Sequence, residues 1–192
     1  MKKILYVHGL GSGINSSTLD DIKLFFNKYE VHGIEVNENP YESVKKIQDY
    51  VNDNNIDILI GCSLGGFYGA YVDVPCKFLI NPAFMIINVI QIKIGFGVYE
   101  YFCEREDKNT YYTLDQNVVD NFKYFIMSPH EKIYSKNSYA FFSSIDDFVG
   151  PELQLRNIEI ANATNFNLKI SSQFNHRINS YVLNEIRYLL LE

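Results

Sequence analysis

The run Ile56-Asp57-Ile58-Leu59-Ile60 passes without a linker into Gly61-Cys62-Ser63-Leu64-Gly65-Gly66. A plausible helix, Phe67 to Val72, follows directly. So short an apolar run reads as a strand buried in a sheet. A serine held between glycines at the turn from strand to helix demands close backbone approach. Side chains at Gly61 or Gly65 would collide with neighbouring backbone, and Gly66 lets the following helix pack close. The blander reading is a glycine-rich turn whose serine caps the helix.

The same alternation runs along the chain. Ile4 to Val7, Val31 to Val36, Cys76 to Ile80, Tyr139 to Ser143 and Phe166 to Ile170 read as further strands. Between them lie stretches of helical period: Leu19, Ile22, Phe25, Phe26 and Tyr29 behind the capping serines Ser16 and Ser17; Tyr41, Val44, Ile47, Tyr50 and Val51; and Ile178 to Leu189. Strands alternating with helices imply βαβ units. The expected fold is therefore α/β, a three-layer α/β/α sandwich around a mainly parallel sheet. No repeat, low-complexity tract or linker divides the 192 residues, so one domain over 1–192 is expected. The rhythm breaks at about 84–135, an aromatic-rich insertion in which Val118, Val119, Phe122, Phe125 and Ile126 suggest one amphipathic helix. Such an insertion reads either as a lid over a site or as aromatics packed against the sheet.

Composition narrows the class. With 47% hydrophobic and 21% charged residues the chain can bury a core without staples. A net charge of −6 argues against nucleic acid and against an anionic membrane surface as partners. The apolar run after Met1-Lys2-Lys3 stops at His8-Gly9, too short for a signal peptide. Asn88, Gln91 and Lys93 interrupt the run from Phe84 to Ile94, so no membrane span is expected. Cys62, Cys76 and Cys103 lack metal-ligand spacing, and an odd count fits a reducing, cytoplasmic setting. Neither a metal nor a cofactor is expected.

Gly61-Cys62-Ser63-Leu64-Gly65 matches the G-x-S-x-G elbow of a serine nucleophile, in the strand–turn–helix context that the elbow requires. A serine hydroxyl needs a base, and the base an orienting carboxylate, here in the chain order serine, acid, histidine. His8 and His32 precede Ser63, which leaves His176, just before the last helix, and His130, within the insertion. His176 is the preferred base. The acid belongs in the Ser143–Val149 loop after Tyr139 to Phe142, where Asp146 is preferred over Asp147; an earlier aspartate, Glu152 and Glu159 are the alternatives elsewhere in the chain. The backbone N–H groups of Leu10, in the His8-Gly9-Leu10-Gly11-Ser12 loop, and of Leu64 are the expected oxyanion donors. His8 is expected to shape its loop, not to act as a base.

Tyr6-Val7-His8-Gly9, Gly61-Cys62-Ser63-Leu64-Gly65-Gly66-Phe67-Tyr68, Ile80-Asn81-Pro82-Ala83, the Asp146 loop and His176 together resemble the small YqiA-type esterases of the α/β-hydrolase superfamily. The resemblance implies the α/β-hydrolase fold and cofactor-free esterase or thioesterase action on small acyl substrates. It carries Ser63, Asp146 and His176 over as the triad. Ile145-Asp146-Asp147 stands where such esterases usually show Gly-Asp-Glu, which keeps Asp147 open as the acid. An acyltransferase or peptidase on the same triad, and a binding protein without turnover, are the alternative functions.

Overall fold

In the computed structural model, which describes residues 1–129 and 137–191, the apolar runs line up side by side in one sheet. β1 (Lys3–Val7), β2 (Glu30–Ile34), β3 (Ile58–Cys62), β4 (Cys76–Ile80), β7 (Ser138–Ser143) and β8 (Asn167–Ser171) pair in the order β2-β1-β3-β4-β7-β8. Every pairing is parallel. α1 (Ser17–Phe25) links β1 to β2, and α2 (Pro40–Asn54) links β2 to β3. α3 (Leu64–Gly69), α6 (Pro151–Ala163) and α7 (Ser180–Leu189) follow β3, β7 and β8. Helices cover both faces of the sheet, the three-layer α/β/α sandwich that the sequence predicts.

Parallel strands buried on both sides send alternate residues into two cores. Leu5, Val7, Leu59, Leu79 and Phe142 face one core, shared with Ile47 and Val51 of α2, Phe67 and Tyr68 of α3, and Ala161 of α6. Ile4, Tyr6, Ile60, Phe78 and Phe141 face the other, shared with Leu19 and Ile22 of α1 and with Val182 and Ile186 of α7. The chain lays β2 on one side of β1 and returns to lay β3 on the other. That reversal opens a crevice beyond the carboxyl ends of β1 and β3, where ligands of open α/β sheets bind.

Two boundaries differ from the sequence reading. Asn55 adopts a left-handed conformation (φ 51) that ends α2, and the Ile56 N–H turns back to the Val51 carbonyl. β3 therefore begins at Ile58 and runs on through Gly61 and Cys62, which pair with Leu79 and Ile80. Ser16 occupies the cap position of α1, but its side chain makes no cap hydrogen bond.

Between β4 and β7 stand a short helix, α4 (Ile86–Asn88), a π-helical turn over Val89–Ile94, an antiparallel hairpin of β5 (Gly97–Glu100) and β6 (Tyr111–Leu114), and α5 (Gln116–Met127). The insertion's aromatics divide between two jobs. Phe122 and Phe125 of α5 are buried in the sheet's core, whereas Tyr99 and Tyr112 of the hairpin, with Phe102 in the connection between its strands, line the crevice. Among the described residues, no helix is long and apolar enough to cross a membrane.

Burial also shapes the response to alkali. It pushes the Cys62 thiol up to about 12, the Cys76 thiol up to about 11 and the Tyr71 phenol up to about 12. Lys77 responds oppositely, burial holding its ammonium down to about 8. An acid whose folded pKa is raised stabilises the fold fully below its unfolded pKa and loses that contribution as pH climbs towards the folded value. Urea midpoints are therefore expected to fall between about pH 9 and 11, because the thiols and phenols outnumber Lys77. Replacing Cys62 by Ala should flatten that slope by up to about 1.4 kcal/mol per pH unit. An unchanged slope would sink this account.

Candidate active site

Ser63 stands where β3 gives way to α3, with φ 53 and ψ −114. That backbone is strained for a residue with a Cβ, and the surrounding packing enforces it. A Cβ on Gly65 would lie 2.2 Å from the Val7 carbonyl oxygen, and one on Gly61 would lie 2.5 Å from that of Gly65. Neither position can carry a side chain while the turn stays tight. Gly66 packs against Pro82, and Gly9 faces Ser63 itself, with room for a Cβ only 3.3 Å from the Ser63 Cβ. The Ser63 N–H donates to the Ile80 carbonyl (2.9 Å), and the Ala83 N–H donates to the Ser63 carbonyl (3.1 Å). Leu64 opens α3, so its N–H is among the first-turn donors that no carbonyl of the same helix satisfies.

Asp146 and His176 meet. His176 Nδ1 lies 2.8 Å from Asp146 Oδ2, and the carboxylate is fully buried. Asp146 Oδ1 accepts the N–H groups of Phe148 (3.1 Å) and Val149 (2.9 Å), so both its oxygens are engaged. The Phe148 ring lies against the imidazole, 4.8 Å between centroids. Asp147, the neighbouring candidate, is exposed on the rim of the crevice. With Nδ1 bound to a carboxylate, Nε2 is the ring nitrogen left to exchange protons.

The crevice is a cavity of about 890 Å³, and Ser63, His176 and Leu10 share its walls. Leu10, Ile94, Tyr99, Phe102, Tyr112 and Phe148 make much of that wall apolar. Cys62, adjacent to Ser63 in sequence, belongs to the opposite core, with its sulfur 3.9 Å from the His176 carbonyl oxygen. His8 is buried and contacts Gly9 and Glu35. His32 lies on β2 between Tyr50 and Glu30. His130 lies outside the described residues. Among the described residues, no cluster of His, Cys, Asp and Glu is placed to hold a metal ion.

In the sequence Asn81 stands out only as part of the Ile80-Asn81-Pro82-Ala83 motif. The structure makes it a hub. Its buried side-chain amide donates to the carbonyls of Asn175 and His176 (3.0 Å each) and accepts from the Ser143 N–H and the Gln154 amide (2.8 Å each). Thus one side chain joins the end of β4 to the acid loop, to α6 and to the histidine loop. Asn175 adds a second tie, its Oδ1 accepting the N–H groups of both Asp147 and His176.

Residues 3–184 match the family described as "Uncharacterised protein family (UPF0227)", the YqiA family. The chain belongs to that family. No curated protein matches its sequence. Among solved structures, this UPF0227 member is similar to Est1E from Butyrivibrio proteoclasticus with ferulic acid bound. That match has a TM-score of 0.70 at 13% identity and covers 100% of this chain and 88% of the other. It is also similar to the monoacylglycerol lipase of Paleococcus ferrophilus, with a TM-score of 0.64 at 14% identity over 98% and 94% of the two chains. The alpha/beta hydrolase domain-containing protein 10 from mouse gives a TM-score of 0.65 at 14% identity over 98% and 87%. At such identities the likeness establishes the shared fold.

Two substitutions test this geometry. Because Ser63 is strained, Ser63→Gly should be more stable than Ser63→Ala by about 1 kcal/mol in urea unfolding. Equal stabilities would show the strain to be absent. Asn81→Asp would set a carboxylate oxygen against two carbonyls, and should lower stability by about 3 kcal/mol. A loss below about 0.5 kcal/mol would mean that the hub carries little.

Proposed function

We propose that this UPF0227 member is a serine hydrolase that cleaves small carboxylic esters or thioesters through an acyl-enzyme. The observation that carries the reading is the 2.8 Å contact between a fully buried Asp146 carboxylate and His176, on the wall of the cavity that also holds Ser63. Ser63 Oγ attacks the acyl carbonyl while His176 Nε2 takes its proton. Asp146 fixes the tautomer and steadies the imidazolium. The Leu10 and Leu64 N–H groups receive the oxyanion, whose charge they stabilise more strongly than that of the starting carbonyl. The imidazolium then returns the proton to the departing alkoxide or thiolate. Water, activated by the same imidazole, frees the acid and restores Ser63.

The volume suits a single small ligand, and the aromatic wall suits an apolar acyl or aryl group. Ferulic acid, held by the similarly folded Est1E, is an aryl acid of that kind. The chemistry needs no cofactor. The three free thiols fit a cytoplasmic setting.

Ser63→Ala should lower kcat on nitrophenyl esters by a factor of about 10⁴ or more, and Asp146→Asn by about 10⁴. The parent should be labelled once, at Ser63, by a fluorophosphonate, as read by mass spectrometry. Full activity in Ser63→Ala, or labelling elsewhere, would overturn the reading. A panel of nitrophenyl esters and acyl-CoA thioesters of rising length then identifies the acyl group.

A further inference from the structure

Arg105 sits in the connection between β5 and β6, far from both ends of the sheet in sequence, yet it is the largest fully buried side chain among the described residues. Its guanidinium meets Glu35 Oε2 (2.9 Å) and donates to the carbonyls of Ser12 (2.9 Å) and Val36 (3.1 Å). Asp107 takes its outer edge (2.7 Å), and the Tyr101 ring lies 4.3 Å beneath it. Glu35 extends the cluster. Its Oε1 accepts the N–H groups of Ile14 (3.2 Å) and Glu106 (3.3 Å), and its Oε2 lies 3.1 Å from His8 Nε2. Burial alone would raise the Glu35 pKa, but hydrogen bonds from His8 and Ile14, with the nearby charges of His8 and Arg105, hold it below the usual value.

Part of this cluster reaches the loop after β1. His8 Nδ1 bonds the Gly9 carbonyl (2.8 Å), the Phe102 N–H bonds that of Gly11 (2.7 Å), and Arg105 bonds that of Ser12. Behind the loop, a Cβ on Gly13 would lie 2.9 Å from Glu35 and 3.1 Å from Arg105, so loop and cluster touch directly. A buried ion pair stabilises a fold little better than apolar residues of the same size would. What it supplies is a single allowed geometry, since every donor and acceptor must keep its partner.

We propose that Arg105 is a positioning residue of the active site: from the insertion, and through Glu35, His8 and the Ser12 carbonyl, it holds the Gly9–Ser12 loop so that the Leu10 N–H faces the reacting carbonyl. This rests on the hydrolase reading above. On that basis, the hairpin is an anchored wall of the site that sets the oxyanion donor.

The test compares the parent with Arg105→Met, Arg105→Lys and the charge-free double variant Arg105→Met/Glu35→Gln, using nitrophenyl ester kinetics, a trifluoromethyl ketone inhibitor and amide hydrogen exchange. In Arg105→Met, kcat should fall about 10²-fold while KM stays within about threefold, the signature of a donor displaced from the transition state. Affinity for the ketone, which forms an oxyanion on Ser63, should fall in proportion. Exchange across residues 9–12 should quicken while β3 stays protected. Arg105→Lys should fall between, because an ammonium cannot reach Glu35, Ser12 and Val36 as a planar fork does. If Arg105→Met does not fold, the double variant, which buries no unpaired charge, gives the same comparison. Parental kcat and loop protection in a folded double variant would overturn the proposal, as would a raised KM with kcat unchanged. A parent that hydrolyses none of the esters would refute the hydrolase reading instead. The exchange at residues 9–12 would still report whether Arg105 holds the loop.

Discussion

A buried amide must have partners for its donors and its acceptor, and Asn81 has them in three separate stretches of chain. Its two donated bonds end on the carbonyls of Asn175 and His176; its oxygen takes the Ser143 N–H and the Gln154 side chain. The acid loop leaves the sheet just after Ser143, and the histidine loop begins just before Asn175. The separation of Asp146 from His176 is therefore set at the roots of both loops, by Asn81 together with the Asn175 side chain and the Ser143 hydroxyl on the Phe174 carbonyl. Asn81 has φ 44, and its own N–H is held by the Phe141 carbonyl, so the hub is fixed to the sheet by backbone as well.

Ser63 depends on a different kind of constraint. Backbone hydrogen bonds to Ile80 and Ala83 hold Ser63 in place, and steric exclusion shapes its turn, through glycines that bring the Val7 carbonyl and the start of α3 together. The two devices join at the end of β4, where the Ile80 carbonyl takes the Ser63 N–H and Asn81 follows in sequence. One side of the site is thus shaped by close packing and the other by hydrogen-bond satisfaction.

This difference explains what could be read from the sequence. Alternation of apolar runs reports strands and helices through local periodicity, and six strands stand within two residues of where the pattern puts them. Glycines at 61 and 65 mark a close approach at one place in the chain, so Ser63 was visible too. Chain order narrows the base to His176 or His130 and leaves Asp146 among several carboxylates, so it does not by itself pick out the pair. Arg105 and Glu35 carried no such signal, because each charge has an ordinary solvated reading until the fold brings them together across 70 residues of chain. Asn81 was equally silent, since its partners belong to loops whose approach no local pattern encodes. The β5–β6 hairpin escaped because its aromatics, alternating over only four residues per strand, are too few to show a period.

The parallel order of the sheet also dictates how the site would come apart. The elbow is made by β1, β3 and β4 at the centre, whereas the His176 loop follows β8, which among the described residues is an edge strand paired with β7. Edge elements open at lower free energy than central ones. Partial unfolding would thus carry His176 away while Ser63 stayed in its turn, giving a species folded at its middle with the crevice missing one wall.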